Sequence, residues 1–215
     1  MFATEKDLIL KLKDNYNGIC KWNSNDIKIL EEVNLGFGIA DLVFTRLTSK
    51  KIKYTNILNL FDINIYTIIQ SKGIISISEI QNITKSNISD INKSINKLIL
   101  ESYINKKDSF LTVKRTYKSI ALESIAIEAK LKNWQKALQQ AIRYQWFAMY
   151  SYVVMDSKFV QPALNNINEF KKNNVGLAEI DILGKTIIHY KPVKRKPIDT
   201  RMSIMLNEEL KRTIF

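Results

Sequence analysis

The sequence predicts an α/β protein whose sheet is covered by helices on both faces. Residues 125–131 alternate apolar side chains with Glu128 and Lys130, which is the period-2 pattern of a strand. A helical spacing of apolar residues follows over 134–149, and residues 152–155 form an all-apolar run. All-apolar strands next to a helix are typical of a sheet that is buried on both sides.

The composition indicates a substantial core and an anionic partner. Of the 215 residues, 46% are hydrophobic, which is enough for a packed core. The net charge is +12, from 33 Lys and Arg against 21 Asp and Glu, and this excess favours nucleic acid as a partner. The base composition of the source genome is an alternative explanation for part of this charge, because the chain is rich in Lys, Ile and Asn.

The cysteine content and the apolar runs predict a cytoplasmic protein without a membrane partner. Cys20 is the single cysteine, so neither a disulfide nor a cysteine-based zinc site can form within the chain. A reducing compartment suits this content. No apolar stretch approaches the ~20 residues that a membrane span requires. Residues 1–7 also lack the positive charge followed by an apolar run that marks a signal peptide.

The N-terminal region predicts two helices. The first covers residues 4–16, with apolar side chains on one face. A second helix is expected over 26–33, where apolar side chains recur at a spacing of three and Ser24 can provide the N-cap. Glu31 and Glu32 would then lie near the end of that second helix.

A strand with one acidic residue is expected next. Residues 39–44 are apolar except for Asp41. An acidic residue inside an apolar strand costs free energy unless it is paired or bound to a metal ion, so Asp41 is either a ligand or lies at the wet edge of the strand. The stretch 45–54 that follows is basic and is expected to be solvated or to face phosphate; its cations are Arg46, Lys50, Lys51 and Lys53.

A different pattern covers residues 59–116. A helix over 63–71, a short helix over 78–84, a longer helix over 86–101 and a hairpin over 103–113 follow one another. This order resembles a winged helix-turn-helix, in which the longer helix enters the DNA major groove and the hairpin touches the backbone. Winged helices also serve as protein-interaction units, and this alternative stays open. The expected DNA contacts are Asn87, Ser89, Asn92, Lys93, Lys97, Lys106 and Lys107.

The order of the acidic residues, the lysine and the helix that follows resembles the PD-(D/E)xK, or restriction-endonuclease-like, nuclease superfamily. Asp41 matches the acidic residue of the first motif, although Ala40 precedes it where proline is the usual residue. The motif Glu128–Lys130 matches the second. The next helix carries Gln140 and Tyr144, which is similar to the Gln-x-x-x-Tyr pattern of the RecB-like and phage-exonuclease branches.

The resemblance implies a mixed central sheet flanked by helices and metal-dependent hydrolysis of DNA phosphodiester bonds. Asp41 and Glu128 would bind one or two Mg²⁺ or Mn²⁺ ions. Glu31 or Glu32 would match the extra acid that some members carry on the preceding helix, and would complete the ligand set. Lys130 would position the attacking water and stabilise the charged phosphorane.

The helix after the second motif would add residues to the same site. Gln140 would be catalytic by orienting the site or the nucleic-acid end, and Tyr144 could stack or pack. For these two residues the alternatives are a polar helix face and a core aromatic. Arg143 lies between them in sequence and is expected to contact DNA.

The sequence therefore predicts two domains. Residues 1–47 and 118–215 would form the nuclease-like core, and residues 57–117 would form an inserted winged helix-turn-helix. A non-catalytic transcriptional regulator on a nuclease-like scaffold is the alternative function, and a partner-binding protein without a nucleic-acid role is a third. Cleavage of both strands with one site per chain would favour a homodimer.

Overall fold

The computed structural model describes residues 1–36, 38–49 and 56–214, without the side chain of Ser24. Two compact units form within this part of the chain. Unit 1 comprises the described residues of Met1–Ser49 and Ala121–Met202, and unit 2 those of Lys50–Ile120 and Ser203–Phe215. The predicted cap on Ser24 and the predicted roles of Lys50, Lys51 and Lys53 lie outside what is described.

Unit 1 contains both strands and helices, whereas unit 2 is mainly helical. The strands are β1 (Ile27–Asn34), β2 (Ile39–Leu47), β3 (Ile74–Ser76), β4 (Ile104–Lys107), β5 (Phe110–Val113), β6 (Ala121–Lys130), β7 (Tyr150–Asp156), β8 (Gly176–Ile180) and β9 (Thr186–Tyr190). The helices are α1 (Glu5–Asp14), α2 (Leu60–Lys72), α3 (Ile77–Thr84), α4 (Ile88–Leu100), α5 (Trp134–Tyr144), α6 (Gln161–Asn165), α7 (Ile167–Asn173) and α8 (Thr200–Ile214).

Unit 1 is an α/β unit built on a mixed six-stranded sheet, which confirms the predicted class. The strand order is β1-β2-β6-β7-β8-β9. Strands β6, β7 and β8 are parallel, and the outer pairs are antiparallel. Helix α5 connects β6 to β7 and buries Ala137, Ala141 and Tyr144. On α1, Leu8 and Leu12 belong to a core that includes side chains of β2, β6 and β7.

The prediction of a helix over 26–33 is wrong, since these residues lie mainly in strand β1. β1 pairs with β2 in antiparallel register. Glu32 has a φ of +51°, and this left-handed residue interrupts the alternation of faces along the strand. Leu30 and Val33 are therefore both buried three residues apart, a spacing that imitates a helix. Glu31 and Glu32 lie on a strand and not on a helix.

Unit 2 combines α2, α3 and α4 with a three-stranded antiparallel sheet in the order β3-β5-β4. Apolar side chains of these elements form a core of their own, and Ile204 of α8 belongs to it. Glu208 of α8 accepts the backbone N–H of Leu58 at 2.8 Å and the hydroxyl of Tyr117 at 2.6 Å. From Ser203 onward the chain therefore packs with unit 2, although the predicted nuclease-like core includes these residues.

None of the helices in the described ranges has the length and apolar character needed to cross a membrane.

Candidate active site

Asp41 and Glu128 are brought together by the pairing of β2 with β6. Leu42 of β2 pairs with Ile127 of β6 in antiparallel register. Asp41 precedes that pair and Glu128 follows it. The two side chains therefore lie on the same face of the sheet, at the same end of the two strands. The Oδ2 atom of Asp41 accepts the backbone N–H of Ala129 at 2.7 Å, which fixes the carboxylate against β6.

The carboxyl group of Glu128 is buried, and its side chain is only 1% exposed. Its Oε1 atom lies 3.1 Å from the Nζ atom of Lys130 as an ion pair. Among the described residues, however, Oε1 has no partner in hydrogen-bond geometry. Its Oε2 atom contacts the hydroxyl of Tyr144 on α5. One oxygen of this buried group therefore retains the capacity to bind a cation or a donor.

The hydroxyl of Tyr144 has two neighbouring acceptors but a single hydrogen. It lies 2.6 Å from the carbonyl oxygen of Ile39 and also contacts Glu128. It donates to the Glu128 carboxylate and shares the same hydrogen with the carbonyl of Ile39. Burial raises the pKa of Glu128; the Tyr144 hydroxyl opposes the rise and the negative charge of Asp41 adds to it.

The N-terminus of α1 holds Lys130 in place. Thr4 is the N-cap of α1 and forms a capping box with Asp7, so the helix begins at Glu5. The Nζ atom of Lys130 lies 2.8 Å from the Oε2 atom of Glu5. Burial opposes the charge of Lys130, but its contacts with Glu5 and Glu128 outweigh burial and raise its pKa. Lys130 is therefore an ammonium that can stabilise negative charge, and it is not a base.

Glu5 is a site residue that the sequence did not single out. The capping box predicts where the helix begins, but no local pattern connects that helix to the end of β6. Only the tertiary fold brings Glu5 to Lys130.

Glu31 and Glu32 differ in their relation to the site. Burial raises the pKa of Asp41, the Ala129 N–H opposes the rise, and the charges of Glu5 and Glu32 add to it. Glu32 is thus close enough to act on Asp41, although it is exposed. Glu31 is instead engaged in an ion pair with Lys13 of α1.

Gln140 and Arg143 lie on α5 with Tyr144. Gln140 is partly buried, and its Oε1 atom is buried without a hydrogen-bond partner among the described residues. Arg143 is exposed beside the turn between β1 and β2. A Cβ atom placed on Gly38, whose φ is +110°, would lie 3.8 Å from the Cζ atom of Arg143. One turn of α5 therefore presents the buried amide oxygen of Gln140, the exposed guanidinium of Arg143 and the hydroxyl that contacts Glu128.

The acidic residues fit a magnesium or manganese ion that keeps part of its water shell. No group of three or more Asp, Glu, His or Cys side chains in the described ranges could enclose a metal ion on its own. Mg²⁺ is commonly bound through only one or two carboxylates, with water and phosphate oxygens completing its octahedron. Asp41 and the Oε1 atom of Glu128, which has an ion-pair contact with Lys130 but no hydrogen bond among the described residues, suit this mode of binding.

The residues expected to contact DNA in unit 2 fall into two groups. The first group is exposed to solvent and lies on or next to α4 and on β4. Its members are Asn87, Ser89, Asn92, Lys93, Lys106 and Lys107. Lys97 differs, because its Nζ atom lies 2.7 Å from the Oδ2 atom of Asp62, a side chain that is 3% exposed. Ser94 donates to the other oxygen of Asp62. Lys97 therefore neutralises a buried acid within the unit.

Comparison of this chain with known protein families, with curated proteins and with solved structures finds no match.

Proposed function

We propose that this chain is a metal-dependent nuclease of the PD-(D/E)xK type, which hydrolyses DNA phosphodiester bonds. The observation that supports it most strongly is the meeting of Asp41, Glu128 and Lys130 at one edge of the β2–β6 pair. Burial disfavours the negative charge of both carboxylates, and a cation bound between them would stabilise that charge.

Each side chain then has a role that follows from its contacts. Bound at Asp41 and Glu128, Mg²⁺ or Mn²⁺ would supply a hydroxide at neutral pH and stabilise charge on the phosphate. The Lys130 ammonium would hold a non-bridging phosphate oxygen as negative charge develops there. Glu5 fixes the ammonium, and Tyr144 orients the carboxyl of Glu128.

We further propose that unit 2 is a winged helix-turn-helix that binds DNA. The order of its elements supports this assignment, because α2, β3, α3 and α4 are followed by the β4–β5 hairpin. In such modules the last helix enters the major groove. Asn87, Ser89, Asn92 and Lys93 are exposed there, and they are the residues best placed to reach bases and phosphates. Arg143, in unit 1, would contact a phosphate near the hydrolytic site.

A non-catalytic DNA-binding regulator is the second candidate. It is favoured by the engagement of Lys130 with both Glu5 and Glu128, which can be read as a purely structural ion network. A homodimer would suit either function, since two-fold symmetry matches two DNA strands.

The decisive assay is cleavage of plasmid and single-stranded DNA in Mg²⁺, Mn²⁺ or EDTA. Wild-type protein is expected to cleave in the metals and to be inactive in EDTA. Lys130→Ala should lower the rate about 100-fold or more, the effect of removing one electrostatic contact to the transition state. Lys136→Ala is the matched control, because Lys136 is an exposed lysine on α5.

Cleavage that persists in EDTA and in Lys130→Ala would contradict the nuclease proposal. Binding of DNA without cleavage in any metal would favour the regulator instead.

A further inference from the structure

A second pocket in unit 1 lies away from the candidate active site. It has a volume of about 380 Å³ and is lined by Trp22, Tyr150, Tyr152, Lys21, Lys191 and Glu123, among others. Glu123 stands near the beginning of β6, whereas Lys130 is its last residue. The pocket also contains Ile125 and Tyr152, and Tyr152 pairs with Ile127. Because side chains alternate along a strand, these residues lie on the face of the sheet opposite Glu128. The pocket is therefore distinct from the hydrolytic site.

Tyr152 is the residue that points to a ligand in this pocket. Its side chain is almost fully buried, with an exposure of 2%. Its ring packs so closely on β8 that a Cβ atom on Gly176 would lie 2.3 Å from its Cδ1 atom. Among the described residues, nonetheless, its hydroxyl has no hydrogen-bond partner. The hydroxyl itself remains accessible from the cavity, so a bound molecule can form a hydrogen bond with it there.

The aromatic side chains of the pocket suit a flat ring. Trp22 and Tyr150 are partly buried and pack against the same core that contains Tyr152. These two partly exposed rings form a surface on which a planar base can stack, and such stacking tolerates any base. The cavity also falls within the size range of small-molecule sites.

The rim of the pocket suits an anion. Lys21 and Lys191 are exposed, and neither forms an ion pair in the described part of the chain. Glu123 is already paired, with Arg46 at 3.2 Å and with Lys194 at 2.8 Å. The charge that remains open to a ligand is therefore positive, as a phosphate group requires.

The segment that carries Lys191 is fixed in position. The side chain of Asn174 forms hydrogen bonds at 2.8 Å with both the N–H and the carbonyl of Val193. Further along, the N–H of Arg195 donates to the carbonyl of Met149 at 3.1 Å. Lys191 is thus held beside the aromatic side chains by the fold.

We propose that this pocket binds a nucleotide, with its base against Trp22 and Tyr150, a hydrogen bond to the hydroxyl of Tyr152, and its phosphate at Lys21 and Lys191. A free mononucleotide and an unpaired nucleotide of a nucleic-acid strand share this chemistry. The site goes beyond the proposed hydrolytic function and does not depend on it, because no residue is shared between the two.

The test is calorimetric titration of the full chain in EDTA, where cleavage cannot occur. The probes are dTMP and dAMP, a short unpaired oligothymidylate, thymidine and inorganic phosphate. The nucleotides are expected to bind at least 10-fold more tightly than thymidine or phosphate. Tyr152→Phe, which keeps the ring, and Lys191→Gln should each weaken binding about 10-fold. Lys171→Gln, an exposed lysine on α7, is the matched control and should have no effect.

The two sources of the nucleotide give different results. Binding of dTMP or dAMP identifies a free nucleotide as a ligand, and binding of the oligothymidylate alone identifies a strand, provided that Tyr152→Phe weakens it. Phosphate that binds as tightly as the nucleotides would overturn the proposal, as would nucleotide binding that Tyr152→Phe and Lys191→Gln leave unchanged, or no binding at all. Lys130→Ala should retain nucleotide binding whether or not it cleaves DNA, so the two proposals fail separately.

Discussion

Glu128 lies in an environment that opposes its own negative charge. Its side chain is 1% exposed, and burial raises its pKa. The single hydrogen of the Tyr144 hydroxyl is shared between the Glu128 carboxylate and the carbonyl oxygen of Ile39, so it offsets the cost of that charge only in part. Metal ligands must be deprotonated, so an ion that binds at Glu128 competes with a proton, and the raised pKa favours the proton.

The pH dependence of stability should show that burial also disfavours the negative charge of Asp41. Burial raises the pKa of Asp41, so the folded state binds its proton more tightly than the unfolded state does. Its ionisation therefore destabilises the fold above the raised pKa, and this cost disappears as pH falls towards the ordinary value. In EDTA, Asp41→Asn should be at least as stable as wild type at neutral pH, and its advantage should shrink on acidification.

Thermal melts of both proteins between about pH 4 and pH 7 would measure this difference. An Asp41→Asn variant that is less stable at neutral pH, with a deficit that fades on acidification, would mean that the pKa of Asp41 is lowered.

Tyr144→Phe should change the acid limb of the activity profile. The hydroxyl of Tyr144 lowers the pKa of Glu128, so its removal should raise that pKa further. Cleavage should then be lost at a higher pH than in wild type, as measured by the rate against pH at fixed Mg²⁺. Tyr16→Phe is the control, since the hydroxyl of Tyr16 has no hydrogen bond within the described residues. An unchanged profile in Tyr144→Phe would mean that this hydroxyl only packs.

At the scale of the elements, the sequence predicts best where one local pattern dominates. Strand β6 and helix α5 are recognisable because alternation and helical spacing are uninterrupted there. Strand β1 is not, because the left-handed Glu32 gives buried residues a helix-like spacing. The meeting of Glu5 with Lys130 depends on tertiary packing, so no local pattern indicates it.

Helix α4 shows the same limit, because its lysines have different partners. Lys93 is exposed and forms an ion pair with Asp90 at 3.4 Å, whereas Lys97 reaches the buried Asp62. Spacing along the sequence suggests that both face solvent. Only the position of α2, which carries Asp62, shows that Lys97 pairs with a buried acid of unit 2.

Substitution of Lys97 should therefore affect stability, whereas substitution of Lys93 should affect DNA binding. Lys97→Met leaves the buried Asp62 without its ion pair and should lower the free energy of unfolding of unit 2 by about 3 kcal/mol. Lys93→Met should leave stability nearly unchanged, because exposed ion pairs contribute about 0–1 kcal/mol. It should instead weaken DNA binding. Hydrogen exchange of α2 and α4, together with a DNA-binding titration, measures both effects. Equal stability of the two variants would contradict the assignment of Lys97.

At the scale of the whole molecule, the charge of +12 should make DNA binding sensitive to salt. Lysines and arginines that neutralise phosphates release counterions, so the logarithm of the affinity falls linearly with the logarithm of salt concentration. With about six phosphate contacts, affinity should drop about 1000-fold between about 50 and 200 mM salt. A fluorescence-anisotropy titration of a labelled duplex measures the slope. A slope near zero would indicate that the charge reflects composition and not a nucleic-acid partner.

The most direct test of the metal site is a titration with Mn²⁺, followed by electron paramagnetic resonance and paired with the cleavage assay. Wild-type protein should bind Mn²⁺ and cleave DNA. Asp41→Asn should lose both, whereas Glu31→Gln should keep both, because the carboxylate of Glu31 is paired with Lys13. Equal Mn²⁺ binding by wild type and Asp41→Asn, or cleavage by Asp41→Asn at the wild-type rate, would contradict a metal-dependent hydrolytic site at Asp41, Glu128 and Lys130.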